Sequence, residues 1–169
     1  VMNFNSSNQL QVVTSGGTTM NKVTTRTFED TSKFYHIVVR IDTTQGTAAD
    51  RVRVYVDGTQ ITAFGTDTIP GQNVDFQLAS QTMNIGRLSG TSQQFDGQLA
   101  EVNYADGQSY GPETFGVTDT STGRWIPKSL SGITYGTNGF RMQFANSAGQ
   151  TIGDDTSGNG NDYAVTNIV

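Results

Sequence analysis

Arg51-Val52-Arg53-Val54-Tyr55-Val56-Asp57-Gly58-Thr59-Gln60-Ile61-Thr62 divides into a strand, a turn and a return. Val52, Val54 and Val56 fall on one side of an extended chain, and Arg51, Arg53 and Tyr55 on the other. That period of two predicts a strand with one face in a core. A slip of one residue would turn the valines to water and bury two arginines, so the register is fixed. Asp57-Gly58 readily takes the positive φ angles of a tight hairpin, with Gly58 in the left-handed region. Gln60 to Phe64 then reads as the return strand.

The same alternation recurs on both sides of this hairpin. In Lys33 to Asp42, Tyr35, Ile37, Val39 and Ile41 share one face, and Phe34, His36, Val38 and Arg40 the other. Val1 to Asn5, Met83 to Gly86, Gln98 to Tyr104, Phe140 to Phe144 and Tyr163 to Thr166 read as further strands. Turn-rich stretches lie between them at 43–50, 65–71, 90–94, 106–111 and 149–162. Helical periodicity is nearly absent, and the one helical turn expected lies at Gly111 to Phe115, with Pro112 near its start. Short strands punctuated by turns predict an all-β, two-sheet antiparallel sandwich with under about 10% helix. Ile37, Val39, Val52, Val54, Val56, Val102, Phe140 and Phe144 are the expected core. The 169 residues read as a single domain over 1–169 carrying a Gly/Asp/Asn-rich loop at 149–162. The chain begins at Val1 without a signal pattern, which suits a processed or partial product of a longer polypeptide.

Composition narrows the partners. Hydrophobic residues are 34% and charged residues 15%, yet nine Phe, six Tyr and one Trp supply enough apolar area for a core. A net charge of −5 argues against nucleic acid, whose phosphates need a basic face. No apolar run approaches the roughly 20 residues of a membrane-spanning helix. Cys is absent, which removes disulfides, thiolate metal sites and Cys nucleophiles together.

Several segments, taken in order, resemble a known family. They are Phe34-Tyr35-His36-Ile37-Val38-Val39-Arg40-Ile41-Asp42, the Tyr55-Val56-Asp57-Gly58 hairpin, Ile85-Gly86-Arg87, and Phe95-Asp96-Gly97-Gln98-Leu99-Ala100-Glu101-Val102-Asn103-Tyr104. This order, over about residues 30 to 115, is similar to the concanavalin A-like, laminin-G-type jelly roll. A full jelly roll of that type has further strands upstream. The continuation includes Thr122-Gly123-Arg124-Trp125-Ile126-Pro127-Lys128, Tyr135-Gly136-Thr137-Asn138-Gly139-Phe140 and Asp155-Thr156-Ser157-Gly158-Asn159-Gly160-Asn161-Asp162. It resembles laminin-G-type modules of virion proteins in tailed phages, notably those of marine bacteria. The resemblance implies a virion surface protein: a tail fibre, tail or capsid-appendage module. Its partners would be other virion proteins, copies of itself and host cell-surface glycan.

Catalysis finds little footing. His36, the single histidine, sits mid-strand without a Gly-x-Ser-x-Gly elbow, so a structural role at the sheet surface is preferred. Glycoside hydrolysis needs two facing carboxylates, and Glu29, Glu101 and Glu113 form no such pair. Glu101 is the best single candidate, and its alternative role is to accept hydrogen bonds at a sheet edge. The chain is therefore read as a non-enzyme, with a glycan-degrading depolymerase and a secreted bacterial lectin or adhesin as the competing readings.

Binding offers more. Trp125, Tyr110 and Tyr135 are candidates to stack on sugar faces, against ordinary use as core or loop-pinning rings. Tyr104 is assigned to the core. Asp154, Asp155 and Asp162 crowd oxygen ligands into a flexible loop, which suits Ca²⁺. The competing reading is a loop whose Asx side chains cap their own backbone. Gly158-x-Gly160 carries no nucleotide signal, and Asn5-Ser6-Ser7 matches a glycosylation triplet at the level expected by chance. An acidic chain repels anionic polysaccharide unless a cation bridges it, so neutral or calcium-bridged glycans are the expected ligands.

Overall fold

The computed structural model describes residues 1–14, 20–76, 83–89, 92–145 and 149–165. Among the described residues the strands are β1 (Met2–Phe4), β2 (Gln9–Val13), β3 (Asn21–Thr27), β4 (Ile37–Ile41), β5 (Val52–Val56), β6 (Thr59–Ile61) and β7 (Phe64–Thr68), then β8 (Arg87–Ser89), β9 (Ser92–Gln94), β10 (Val102–Tyr104), β11 (Gly116–Thr118), β12 (Trp125–Pro127) and β13 (Phe140–Met142). Among the described residues one short helix, α1 (Ala48–Arg51), and a 3-10 turn at Pro112–Thr114 complete the regular structure. Strand makes up 33% of the described residues and helix 5%, within the limit the alternation predicts. The protein is all-β.

Two compact units can be distinguished. The first comprises Val1–Phe76 with Ser109–Leu130. It holds a four-stranded sheet, β1-β2-β3-β7, a three-stranded sheet, β4-β5-β6, and the β11-β12 pair. Leu10 and Val12 from the larger sheet meet Val52 and Val54 from the smaller one, with Met20, Ile37, Val39, Ile41, Ile61 and Phe64 packed around them. Two sheets sharing one apolar interior make a sandwich. Val52, Val54 and Val56 are 2%, 1% and 1% exposed, while Arg53 and Tyr55 are only half-buried. The register read from the sequence is the register adopted.

The hairpin turn also forms as expected, with φ of 50° at Asp57 and 76° at Gly58. Its return strand is shorter than expected. β6 stops at Ile61, and the chain crosses at 62–63 to the other sheet, where Phe64–Thr68 pairs with β3. Residues 65–68, expected in a turn, are therefore strand. Thr and Phe tolerate the pleat well, and β3 offers an edge to pair with. Ile37 and Val39, expected in the core, are half-buried because β4 is an edge strand beside central β5. Val38, on the opposite face, is 9% exposed. Lys22 is 3% exposed, a burial offset by its contact with Asp67 and by the Phe64 ring 4.1 Å from its ammonium.

The second unit comprises Gln77–Gln108 with Ser131–Val169 and holds the pairs β8-β9 and β10-β13. Phe140 and Met142 are buried and Arg141 is half-buried, continuing the predicted alternation. It breaks at Phe144, expected in the core, which has φ 54° and is half-buried because the chain turns there. Val102 is half-buried as well, in a strand of three residues rather than the expected seven. Residues 83–86 are not strand; pairing starts at Arg87. Of the turn expected at 90–94, residues 92–94 are β9, and 90 and 91 lie outside the described residues. Tyr163 to Val165 is irregular, and Thr166 lies outside the described residues.

Candidate functional site

Trp125 is positioned by β12 and held from several sides. Its indole Nε1–H donates to His36 Nδ1 at 3.0 Å. An indole nitrogen only donates, so Nδ1 is the unprotonated acceptor and His36 carries its ring proton on Nε2. A Cβ at Gly58 or at Gly116 would come within 2.5 Å of the Trp125 ring, so both glycines exist where the ring needs backbone without side chain. The His36 N–H donates to Asp57 Oδ1 at 2.9 Å, and the Asp57 N–H returns to the His36 carbonyl at 2.8 Å. Trp125 is thus a half-buried ring fastened over the β5–β6 turn. Tyr110, also half-buried, meets Phe115 edge-on at 6.3 Å. Tyr135 donates its hydroxyl to Asn103 Oδ1 at 2.7 Å. Trp125 and Tyr110 belong to the first unit and Tyr135 to the second.

Asp155 is the hub of the 149–162 loop. Its Oδ1 accepts the backbone N–H of Arg141 and of Ser157, each at 2.8 Å. Its Oδ2 accepts the Ser157 hydroxyl at 2.8 Å and the Asn161 N–H at 3.0 Å. Burial pushes the Asp155 carboxyl up, but the N–H groups of Arg141, Ser157 and Asn161 and the Ser157 hydroxyl outweigh it and leave it below the ordinary carboxylate value. Asp162 Oδ1 accepts the Asp155 N–H at 2.8 Å. Asp154 accepts the Thr151 hydroxyl at 2.5 Å and its N–H at 2.8 Å, which lowers its pKa too. The two asparagines reach outward: Asn159 Nδ2 donates to the carbonyls of Gly136 and Gly139, and Asn161 Nδ2 to those of Thr137 and Gly139.

These carboxylates line one open depression with Gly149, Gln150, Thr156, Gly158 and Gly160. Their oxygens already serve N–H and O–H donors, and among the described residues no three His, Asp or Glu side chains are grouped to hold a metal ion. A Ca²⁺ here would have to displace those donors. Glu101 accepts Arg141 Nε at 2.9 Å and Asn103 Nδ2 at 3.0 Å, so it works as a sheet-edge acceptor. Asn5 spends its side chain on the N–H groups of Ser7 and Gln9 in the β1–β2 turn.

The strands that carry the buried valines also have a second face. On the outer face of the β4-β5-β6 sheet, Arg40 stands opposite Arg53, and Val38, Tyr55 and Gln60 form the next row across the three strands. The alternation that puts Val52, Val54 and Val56 inside puts Arg53 and Tyr55 on the other face, where Val38 is nevertheless buried, so the signal was present in the strand that fixed the core.

A family model described as the concanavalin A-like lectin/glucanases superfamily matches residues 1–109. It starts upstream of the resembling segments and takes in β1, β2 and β3. No curated protein and no solved structure matches the chain. Trp125, Tyr110, Tyr135 and the three loop aspartates all lie beyond the matched residues, whereas His36, Arg40, Arg53, Tyr55 and Glu101 lie within them. Among the described residues, no helix is long and apolar enough to cross a membrane.

Proposed function

This chain belongs to the concanavalin A-like lectin/glucanases superfamily, and on that premise we propose that it is a non-enzymatic glycan-binding module. Carbohydrate is the ligand class that the superfamily suggests. The single observation that carries the non-enzymatic half is the state of Glu101, the best-placed acid, which is engaged by Arg141 and Asn103. Hydrolysis requires a carboxylate facing another across the scissile bond.

The finer reading is attachment to host surface glycans, or decoration of the particle, by a virion surface protein of a tailed phage. It is supported by the likeness of the 122–162 segments to phage modules, and its partners are other virion proteins and further copies of the chain. Retention of the purified chain on a panel of bacterial surface polysaccharides, with and without chelator, tests the proposal. Binding without release of reducing ends is expected. Release of reducing ends that is lost in Glu101→Gln would make the protein a depolymerase. Binding abolished by chelator and restored by calcium, with Asp155→Ala weakening both, would assign the 149–162 loop to the metal. If no polysaccharide is retained, decoration of the particle stands as the role.

A further inference from the structure

Arg40 and Arg53 are register partners on adjacent antiparallel strands, with their side chains on the face away from the Val54 core. Like charges directly opposite one another destabilise a sheet, and carboxylates satisfy them only in part. Arg53 Nη2 donates to Asp50 at 2.6 Å and its guanidinium also interacts with the Tyr55 hydroxyl, while its Nε is buried with no hydrogen-bond partner. Arg40 makes one hydrogen bond among the described residues, from Nε to the Ser109 hydroxyl at 2.9 Å, and no described carboxylate lies within ion-pair distance of it. Asp42, next on the same face, feels the Arg40 charge but gives its hydrogen bonds to Thr44 and Gln45. Two guanidinium forks therefore stand side by side with donors to spare, in a chain of net charge −5.

Val38, between His36 and Arg40 on this face, is buried, and groups suited to a sugar lie around it. Tyr55 is half-buried, the Gln60 amide is exposed, and Trp125 rests on His36 at the far end. His36 and Arg40 are four residues apart on one strand, about 13 Å. A paired guanidinium site recognises a carboxylate through charge-assisted, bidentate hydrogen bonds. We propose that the outer face of β4-β5-β6 is the glycan-contact surface and that Arg40 and Arg53 together bind the carboxylate of an acidic sugar. This rests on the glycan-binding reading. It replaces the expectation that an acidic chain needs a bridging cation to hold an anionic polymer, because here the two arginines supply the positive charge.

Calorimetric titration of the full chain at low salt with oligogalacturonate, and with neutral dextran as comparator, tests the assignment. The wild type should bind the uronate oligomer and not dextran. Arg40→Met and Arg53→Met should each lose affinity on the order of tenfold, since each removes hydrogen bonds to a charged group. Their melting points should change little, because relief of two opposed like charges offsets the loss of the Ser109 or Asp50 contact. Unchanged affinity in both variants, or dextran bound as tightly as the uronate, overturns the assignment and leaves the glycan reading intact. Failure of the wild type to bind any polysaccharide overturns both.

Discussion

In the first unit, Leu10, Val12, Met20, Val52 and Val54 form one buried apolar cluster between two sheets. In the second, Phe140 and Met142 are the only buried hydrophobic residues among those described, and the hydrogen bonds of Asp155, Asn159 and Asn161 organise the chain around them. One region closes by removing hydrocarbon from water, which is non-directional and tolerant of detail. The other closes by polar groups that must each find a specific partner. The two should fail differently when altered.

The largest effect is expected where the apolar cluster is broken. Val54 is 1% exposed at the centre of β5, so Val54→Asp places a carboxylate with no partner inside the sandwich. The cost is several kcal/mol, enough to unfold a marginally stable domain. Loss of the cooperative thermal transition, read by circular dichroism, is the expected result. A folded variant with a normal melting point would mean that this cluster does not hold the first unit together.

Asp155→Ala should come next. It leaves the N–H groups of Arg141, Ser157 and Asn161 without their acceptor, at a cost of about 2 kcal/mol because the site is only partly buried. The loss should be local: amide protection falls at residues 136–142 and 155–162 and holds at Val52, Val54 and Val56. Asp155→Asn, which keeps one acceptor oxygen, should lie between the variant and the wild type. Equal loss of protection in both units would show that the hub stabilises more than its own surroundings.

This difference also explains what was legible in the sequence. Val52, Val54 and Val56 declare their face by spacing alone, so the strand, its register and the turn at Gly58 could all be read. Phe144 follows the same spacing but takes φ 54°, because the chain turns where periodicity alone would continue the strand. β3 was missed because the residues it buries, Lys22 and Thr24, carry no hydrophobic signal, whereas β2 does carry one, in Leu10 and Val12 alternating with Gln9 and Gln11. The Asp155–Asp162 run was legible as a loop with two competing uses, and the hydrogen bonds supply the capping one. Trp125 was legible as an amphipathic ring, but its partner, His36, lies 89 residues away, beyond any local pattern. Arg40 and Arg53 each lie on the face opposite the expected core residues of their strand, but spacing alone does not give the register that sets them side by side.

Acid should separate the two regions further. Asp155 is depressed in the fold, so its contribution is complete above the unfolded value near pH 3.9 and is lost as pH falls through the lower folded value. Asp119, in the first unit, is held down to about 2 by the Thr122 hydroxyl first and Ser121 next, but it serves an exposed turn that the core does not depend on. Stability should be flat above about pH 5, and the Ser157 and Asn161 amide resonances should shift below the ordinary carboxylate range before those of Val54 do. Simultaneous movement would place the acid-sensitive carboxylates in the apolar unit.

The smallest effect tests a polar contact inside the apolar region. Trp125→Phe keeps a ring over Gly58 and Gly116 but deletes the donor to His36 Nδ1. The lost bond is neutral and half-buried, so about 1 kcal/mol is expected, with the hairpin and the Val54 core unchanged. His36 Nδ1 then loses its donor, so its ring carbon resonances should shift from their wild-type positions. His36→Ala should give a similar loss, and adding it to Trp125→Phe should cost little more, because both changes delete the same bond. Strict additivity would mean that each ring is held by other contacts and that the bond contributes nothing to closing the turn.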